Sequence, residues 1–269
     1  MIVRRREDTL VLVAQLDHAA LSGTFARHWG NGQFARPEPL EPVVLAAARH
    51  DEGWREHDAQ PLYDAAGQAP THFRTIDVRT HIPFYRDGIE RIVALDPYAG
   101  LLVSMHGSGI YQGRYGAGPI RMRTQTDDVR TLMDAFVAEQ EALQAALKRR
   151  LWSGSGRRRL FERTVWAHYE LLQVWDLLSL FICLDRDHTP VQHIGPATTA
   201  PDGEDLTLHV TSDGDEIVRI DPWPFDRAAI EAVVPARSIP AQPYESQRAL
   251  RQALDASGDA SIRCRVVPG

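Results

Sequence analysis

Apolar and polar positions along the chain change period several times, and each change predicts an element. Residues 9–14, TLVLVA, read as a short strand. Behind them Leu16, Ala19, Ala20, Phe25 and Ala26 recur at helical spacing, with Asp17 at the N-cap or in the first turn and Gly30-Asn31-Gly32 as the stop. This places His18 in the first turn of the first substantial helix. PEPLEP (37–42) is a loop with proline at a helix start, and the VVLAAARHD that follows is apolar on almost every side, as buried helices are. Gly53 stops that helix. Residues 59–82 are loop-rich, a helix is predicted around 86–95, a turn at Asp96-Pro97, and a second apolar helix over 98–106 that ends at His106-Gly107. The glycine-rich stretch after it carries Arg114, Arg121 and Arg123 and reads as a flexible connection.

From Thr126 to about Trp152 an amphipathic helix follows, with Val129, Leu132, Met133, Phe136, Val137, Leu143 and Leu147 on one side. LFERTVWAHYELLQVWDLLSLFICLDRD is the most hydrophobic helix, and it holds His168, Glu170, Gln173 and Asp176. Pro, Gly, Asp and Thr dominate 187–205, and LTLHVTSDGDEIVRIDPWPF then gives two alternating strands around a Ser-Asp-Gly turn. A short helix (244–256) and a last strand, SIRCRVVP, close the pattern. The expected architecture is mainly α. Residues 1–186 form a helical metal-binding domain, and residues 187–269 form a small β-rich appendage packed on the helical body and pairing with the N-terminal strand. His209, within a strand, is expected on the surface.

Composition adds exclusions. With 269 residues, 43% hydrophobic and 25% charged, there is material for a large core. The net charge of -6 carries no nucleic-acid signature and argues against nucleic acid as the main partner. Cys183 and Cys264 are far apart and form no CxxC, which suggests a reducing, cytoplasmic setting. No signal peptide and no membrane span are expected, because no apolar window is long enough. Phosphate loops, dinucleotide fingerprints, GxSxG elbows and zinc-finger spacings are absent from the sequence.

The chemistry concentrates in AAARHDEGWREHD, residues 46–58. His50 and Asp51 put an imidazole and a carboxylate side by side, two different ligand types for a borderline metal ion. Alone, the doublet reads equally well as a helix end with a histidine near its C-terminal dipole. At the end of a buried helix, however, both groups need partners. Asp176 makes the same demand from the middle of LLQVWDLLSLFIC, where a carboxylate without a partner is heavily penalised. With His18 before the doublet and Asp176 after it, each on a separate apolar helix, convergence on a metal is the simpler account. His168 precedes Asp176 by about two helical turns and fits either as a ligand or as a partner that orients one. Trp54 can lid the site, while His57 and Asp58 fall beyond the Gly53 break and read as loop.

This order of residues resembles the HD-domain superfamily of metal-dependent phosphohydrolases. Its pattern is a His on an early helix, an adjacent His-Asp on a later one, and an Asp far downstream followed by a Leu/Ser-Leu run, as in LLQVWDLLSL. In two-metal members additional histidines fall in the interval where His106 and His168 stand. The resemblance implies an HD-like helical bundle with His18, His50, Asp51, His106, His168 and Asp176 as metal ligands. It implies Asp51 and His106 in catalytic roles; beside it, Trp54 can wall the pocket, and Arg114, Arg121 and Arg123, close after His106, can clamp a small anionic substrate. One or two divalent ions (Fe, Mn, Mg, Ni or Zn) would serve hydrolysis of a phosphorylated or nucleotide-like compound. The chain departs from the pattern in continuing the doublet as Glu-Gly-Trp, with no basic residue immediately after it to hold phosphate. A di-iron oxygenase of the same type and a non-catalytic metal-stabilised binding module are the alternatives. The combination QLDH, HDEGW, SMHGSG, LLQVWDLLSL and DPWPF also resembles an uncharacterised bacterial family classed as a domain of unknown function, over nearly the whole chain.

Overall fold

In a computed structural model that describes residues 1–113, 126–152, 157–184, 191–214 and 216–269, the period-two segments join into one sheet. Its strands are β1 (Ile2–Arg6), β2 (Thr9–Val13), β5 (Val191–Thr198), β6 (Asp205–Asp213), β7 (Ile217–Asp221), β8 (Ile230–Pro240) and β9 (Asp259–Pro268). They lie in the order β1-β2-β8-β9-β7-β6-β5, and only β7 and β9 run parallel. The sheet curls into a half-barrel. A separate pair, β3 (Tyr63–Asp64) and β4 (Ala69–Pro70), makes a two-residue hairpin.

This sheet corrects the expectation of a mainly α, HD-like bundle with a small appendage, and with it any all-α description. About 52% of the chain is helix and 24% strand, so the seven-stranded sheet is a main layer and not an appendage. Sequence reading misses β5, which lies in the 187–205 stretch dominated by Pro, Gly, Asp and Thr, and it misses β8. IEAVVPARSIP alternates buried and exposed residues over nearly its whole length, yet it contains Pro235 and Pro240, and proline removes a ladder donor. Pro235 is exposed and lies outside the stretch of β8, residues 237–240, that pairs with β2, so it costs that ladder no donor. The N-terminus likewise gives two strands rather than one, folded back at Glu7-Asp8 so that Leu12 faces Val3 on one side and Arg237 on the other.

The helices are α1 (Gln15–His28), α2 (Leu40–Arg49), α3 (Arg55–Ala59), α4 (Val78–Leu95), α5 (Pro97–Tyr111), α6 (Asp127–Leu151), α7 (Arg158–Cys183) and α8 (Gln247–Asp255). α1 and α7 pack on the sheet, α2 on both of them, α5 on α2 and α7, and α4 and α6 on α5. One apolar core runs from Ile194, Leu208, Val218 and Val234 of the sheet to Leu172, Trp175, Leu102 and Ile89 of the helices. Its aromatic centre joins three elements. Trp29 meets Trp175 at 5.7 Å and Phe225 at 5.7 Å between ring centroids, and Phe25 meets Phe225 at 5.6 Å. Burying each such side chain contributes about 1.5–3 kcal/mol, and the cluster locks α1 against α7.

Two helices outrun their sequence signals. α4 begins at Val78 because Asp77 accepts from the Arg79 amide, and Pro83 within its second turn does not end it. α5 continues through SMHGSG because α6 receives its polar side chains: Ser104 donates to Gln140 at 3.0 Å, and Gln144 donates to Ser104 at 3.2 Å and Ser108 at 3.1 Å. Between the two helices Asp96 Oδ1 accepts from the amides of Tyr98 and Ala99, both at 2.8 Å. Asp96→Ala is expected to lower stability by about 1 kcal/mol in urea unfolding, while Asp96→Asn retains most of it. Among the described residues no helix is long and apolar enough to cross a membrane.

Candidate metal centre

Four elements deliver five donor side chains to one point below the sheet. α1 brings His18 on its first turn, the C-terminal end of α2 brings His50 and Asp51, α5 brings His106, and α7 brings Asp176. All five are buried, between 1% and 5% exposed. Two overlapping groups, His18/His50/Asp51 and His50/His106/Asp176, each have ligand atoms within 4.8 Å of one another.

The hydrogen bonds fix which atoms face inward. His50 Nδ1 lies 2.8 Å from the Ala47 carbonyl, which can only accept, so Nδ1 carries a proton and Nε2 points at the carboxylates. Ser179 Oγ commits its one proton to the Asp176 carbonyl at 2.8 Å, so it accepts from His18 Nδ1 at 2.9 Å and leaves His18 Nε2 facing Asp51 Oδ2, also at 2.9 Å. Ser22 Oγ, 2.9 Å from Ser179 Oγ and 3.2 Å from the Trp175 carbonyl, completes this support. Asp51 is held from two further sides: Gln15 Nε2 donates to Oδ2 at 3.1 Å and Tyr85 Oη to Oδ1 at 2.7 Å. His50 Nε2 stands 3.4 Å from Asp176 Oδ1 and 3.7 Å from Asp51 Oδ2. Neither His50 Nε2 nor Asp176 Oδ1 has a hydrogen-bond partner.

These groups suit a cation. Metal–ligand bonds of about 2.1 Å put neighbouring ligand atoms about 3.0–3.4 Å apart, close to the spacings seen here. Without a cation, burial opposes the charge of His50, but Asp51 and Asp176 outweigh it and lift the imidazole to about 9. Burial would raise the Asp51 and Asp176 carboxyls, yet the histidines around them hold both below the usual carboxylate range. Burial, helped by the charge on His50, pushes His106 down to about 4 and leaves it a neutral ligand. Burial and the Asp51 carboxylate push the Tyr85 hydroxyl far up, which keeps it a donor.

Other residues named from the sequence fall elsewhere. His168 joins neither group among the described residues; its Nδ1 pairs with Tyr98 Oη at 2.7 Å, and burial pushes it down to about 4. Trp54 is buried but packs on His81 and Phe84, with ring centroids 5.4 Å away in each case, and His81 in turn meets Tyr85 at 4.6 Å. It therefore backs the residues that hold Asp51. Arg114, Arg121 and Arg123 lie outside the described residues. His57 and Asp58 sit on the short α3, not in a loop. Asp58 accepts from the Leu16 amide at 3.2 Å, anchoring the start of α1, and burial pushes its carboxyl up to about 6. A cavity of about 810 Å³ beside Arg157, Arg163 and Trp166 shares no residue with the centre.

Gln15, Tyr85, Ser22 and Ser179 are the supporting residues that sequence reading misses. Ser179, three residues after Asp176, and Ser22 and Gln15, four after and three before His18, carry a helical spacing signal, while Tyr85 carries none. Ser179→Ala is expected to weaken metal binding 10- to 100-fold in a competition titration with a chelator while the fold persists, because His18 loses the acceptor that fixes its tautomer.

The model of a family described as protein of unknown function (DUF3891) matches residues 1–241. No curated protein and no solved structure matches the chain.

Proposed function

The chain belongs to the DUF3891 family, and we propose that its buried centre holds one or two divalent ions and that the protein is a metal-dependent hydrolase of a small phosphorylated or nucleotide-like substrate. The observation that carries this reading is the buried pair His50 Nε2 and Asp176 Oδ1, 3.4 Å apart and neither within hydrogen-bonding geometry of any described group, to which His18, Asp51 and His106 add three more donors. The order His, His-Asp, Asp along the chain supports the hydrolytic assignment, because it is the order that the HD superfamily uses. The fold supplies no such support, since the sheet departs from a helical bundle.

The mixed donor set suits Fe, Mn, Ni or Zn better than Mg, because imidazole favours borderline ions. A divalent ion there supplies Lewis acidity and lowers the pKa of water toward neutrality. The chain's own contribution is orientation. Ser179 and the Ala47 carbonyl hold two imidazoles with Nε2 inward, and Gln15 and Tyr85 aim the two oxygens of Asp51 in different directions. Asp51 thereby faces His18 through Oδ2 and His106 through Oδ1, at 2.9 and 3.9 Å, so its two oxygens would serve different parts of the donor set.

The test is the metal content of protein purified without chelator, compared with His50→Ala/Asp51→Ala, together with hydrolysis of phosphomonoesters, phosphodiesters and nucleotides. About one or two ions per chain and a hydrolytic activity, both lost in the variant, are expected. Wild-type protein that neither retains nor takes up a transition metal overturns the reading. Bound iron with an O₂-dependent spectrum and no hydrolysis would replace hydrolysis by oxidation.

A further inference from the structure

The outer face of the sheet carries a second pair of imidazoles. His193 on β5 and His209 on β6 are direct cross-strand partners, and Asp221 on β7 stands opposite His209 in the same row. All three are exposed, while their chain neighbours Ile194, Leu208, Val210 and Ile220 are buried, so the row faces solvent. His193 Nε2 and His209 Nδ1 are 3.1 Å apart, with ring centroids 4.9 Å apart. Neither ring has another hydrogen-bond partner among the described residues. Two nitrogens at that distance share either one proton or one cation.

We propose that His193 and His209 form a surface site for a divalent transition-metal ion, preferring Cu²⁺ or Ni²⁺, with Asp221 as the adjacent negative charge. Bonds of about 2.05 Å to nitrogens 3.1 Å apart subtend an angle of about 98° at the ion. That is nearer the right angle of square-planar and octahedral ions than the wider angle of a tetrahedral zinc site. The antiparallel ladder fixes both backbones, so little is left to organise on binding. To ligate, whichever ring carries the shared hydrogen moves it to its other, outward nitrogen. The five buried donors take no part, so the two sites load independently.

The test is titration of the full chain with Cu²⁺ and with Ni²⁺, following affinity by calorimetry and nitrogen ligation of Cu²⁺ by electron paramagnetic resonance. The comparison is with His193→Ala, and with His209→Gln as a second route should the first disturb the strand. Wild type is expected to bind one readily chelated Cu²⁺ through two nitrogens. Either variant should bind it at least 10-fold more weakly, with the far-ultraviolet circular dichroism unchanged. Equal Cu²⁺ affinity and equal nitrogen ligation in wild type and both variants overturn the proposal. A preference for Zn²⁺ over Cu²⁺ and Ni²⁺ overturns the geometry assigned to it.

Discussion

His50→Ala is expected to abolish ion binding at the buried centre and to lower the stability of the metal-free protein by about 3–5 kcal/mol, read from urea unfolding in the presence of a chelator. The reason is charge. His50 is the cation between Asp51 and Asp176 when no metal is there, and removing it leaves two buried carboxylates facing each other. Asp176→Asn removes a charge instead of stranding one, so it should cost the metal-free protein much less while still weakening the ion. A merely structural histidine would give the opposite ranking in one respect: metal content would not change. His168→Ala is the control. It should cost stability through Tyr98 and leave the ion in place.

Gly53→Ala is expected to be comparably damaging, with a loss of about 3 kcal/mol and a displaced centre. A Cβ at Gly53 would lie 1.9 Å from the Phe84 carbonyl oxygen, and one at Gly88 would lie 2.5 Å from the Gly53 nitrogen. Two backbones touch there, so neither neighbour can swing aside as a side chain could. The contact presses the turn after Asp51 onto α4 beside Tyr85. Moving it takes the Tyr85 hydroxyl off Asp51. The expected readout is therefore double: a lower thermal midpoint, and a loss of ion affinity larger than the loss of stability alone explains. Unchanged affinity in a folded Gly53→Ala protein would separate the glycine pair from the centre.

The donors were legible because burial makes polar residues conspicuous. Asp176 in an apolar helix and His50-Asp51 at the end of another could not be left without partners, and the structure brings them together with His18 and His106. His168 misled for the same reason: it is buried and on the right helix, but its partner is Tyr98, 70 residues earlier on α5, a pairing that no local pattern announces. The supporting hydroxyl of Tyr85 was illegible because tertiary packing alone chooses it. The sheet was misjudged through β8, whose alternation is clear and whose prolines disguise it, and through β1, too short and too basic at Arg4–Arg6 to stand out. Helix ends followed contacts rather than composition, as the passage of α5 through SMHGSG shows.

The pairing of β2 with β8 has a kinetic meaning. Leu12 finds its strand partner at Arg237, and α1, which carries His18, starts two residues after β2 ends. All five donors precede residue 177, so they leave the ribosome well before the strand that secures the hairpin ahead of α1. Such non-local closure is slow, because its loop entropy must be overcome before the contacts form. An ion gathered early by His50, Asp51, His106 and Asp176 would hold the helices together during that wait, and refolding from denaturant should then run faster with metal present than without.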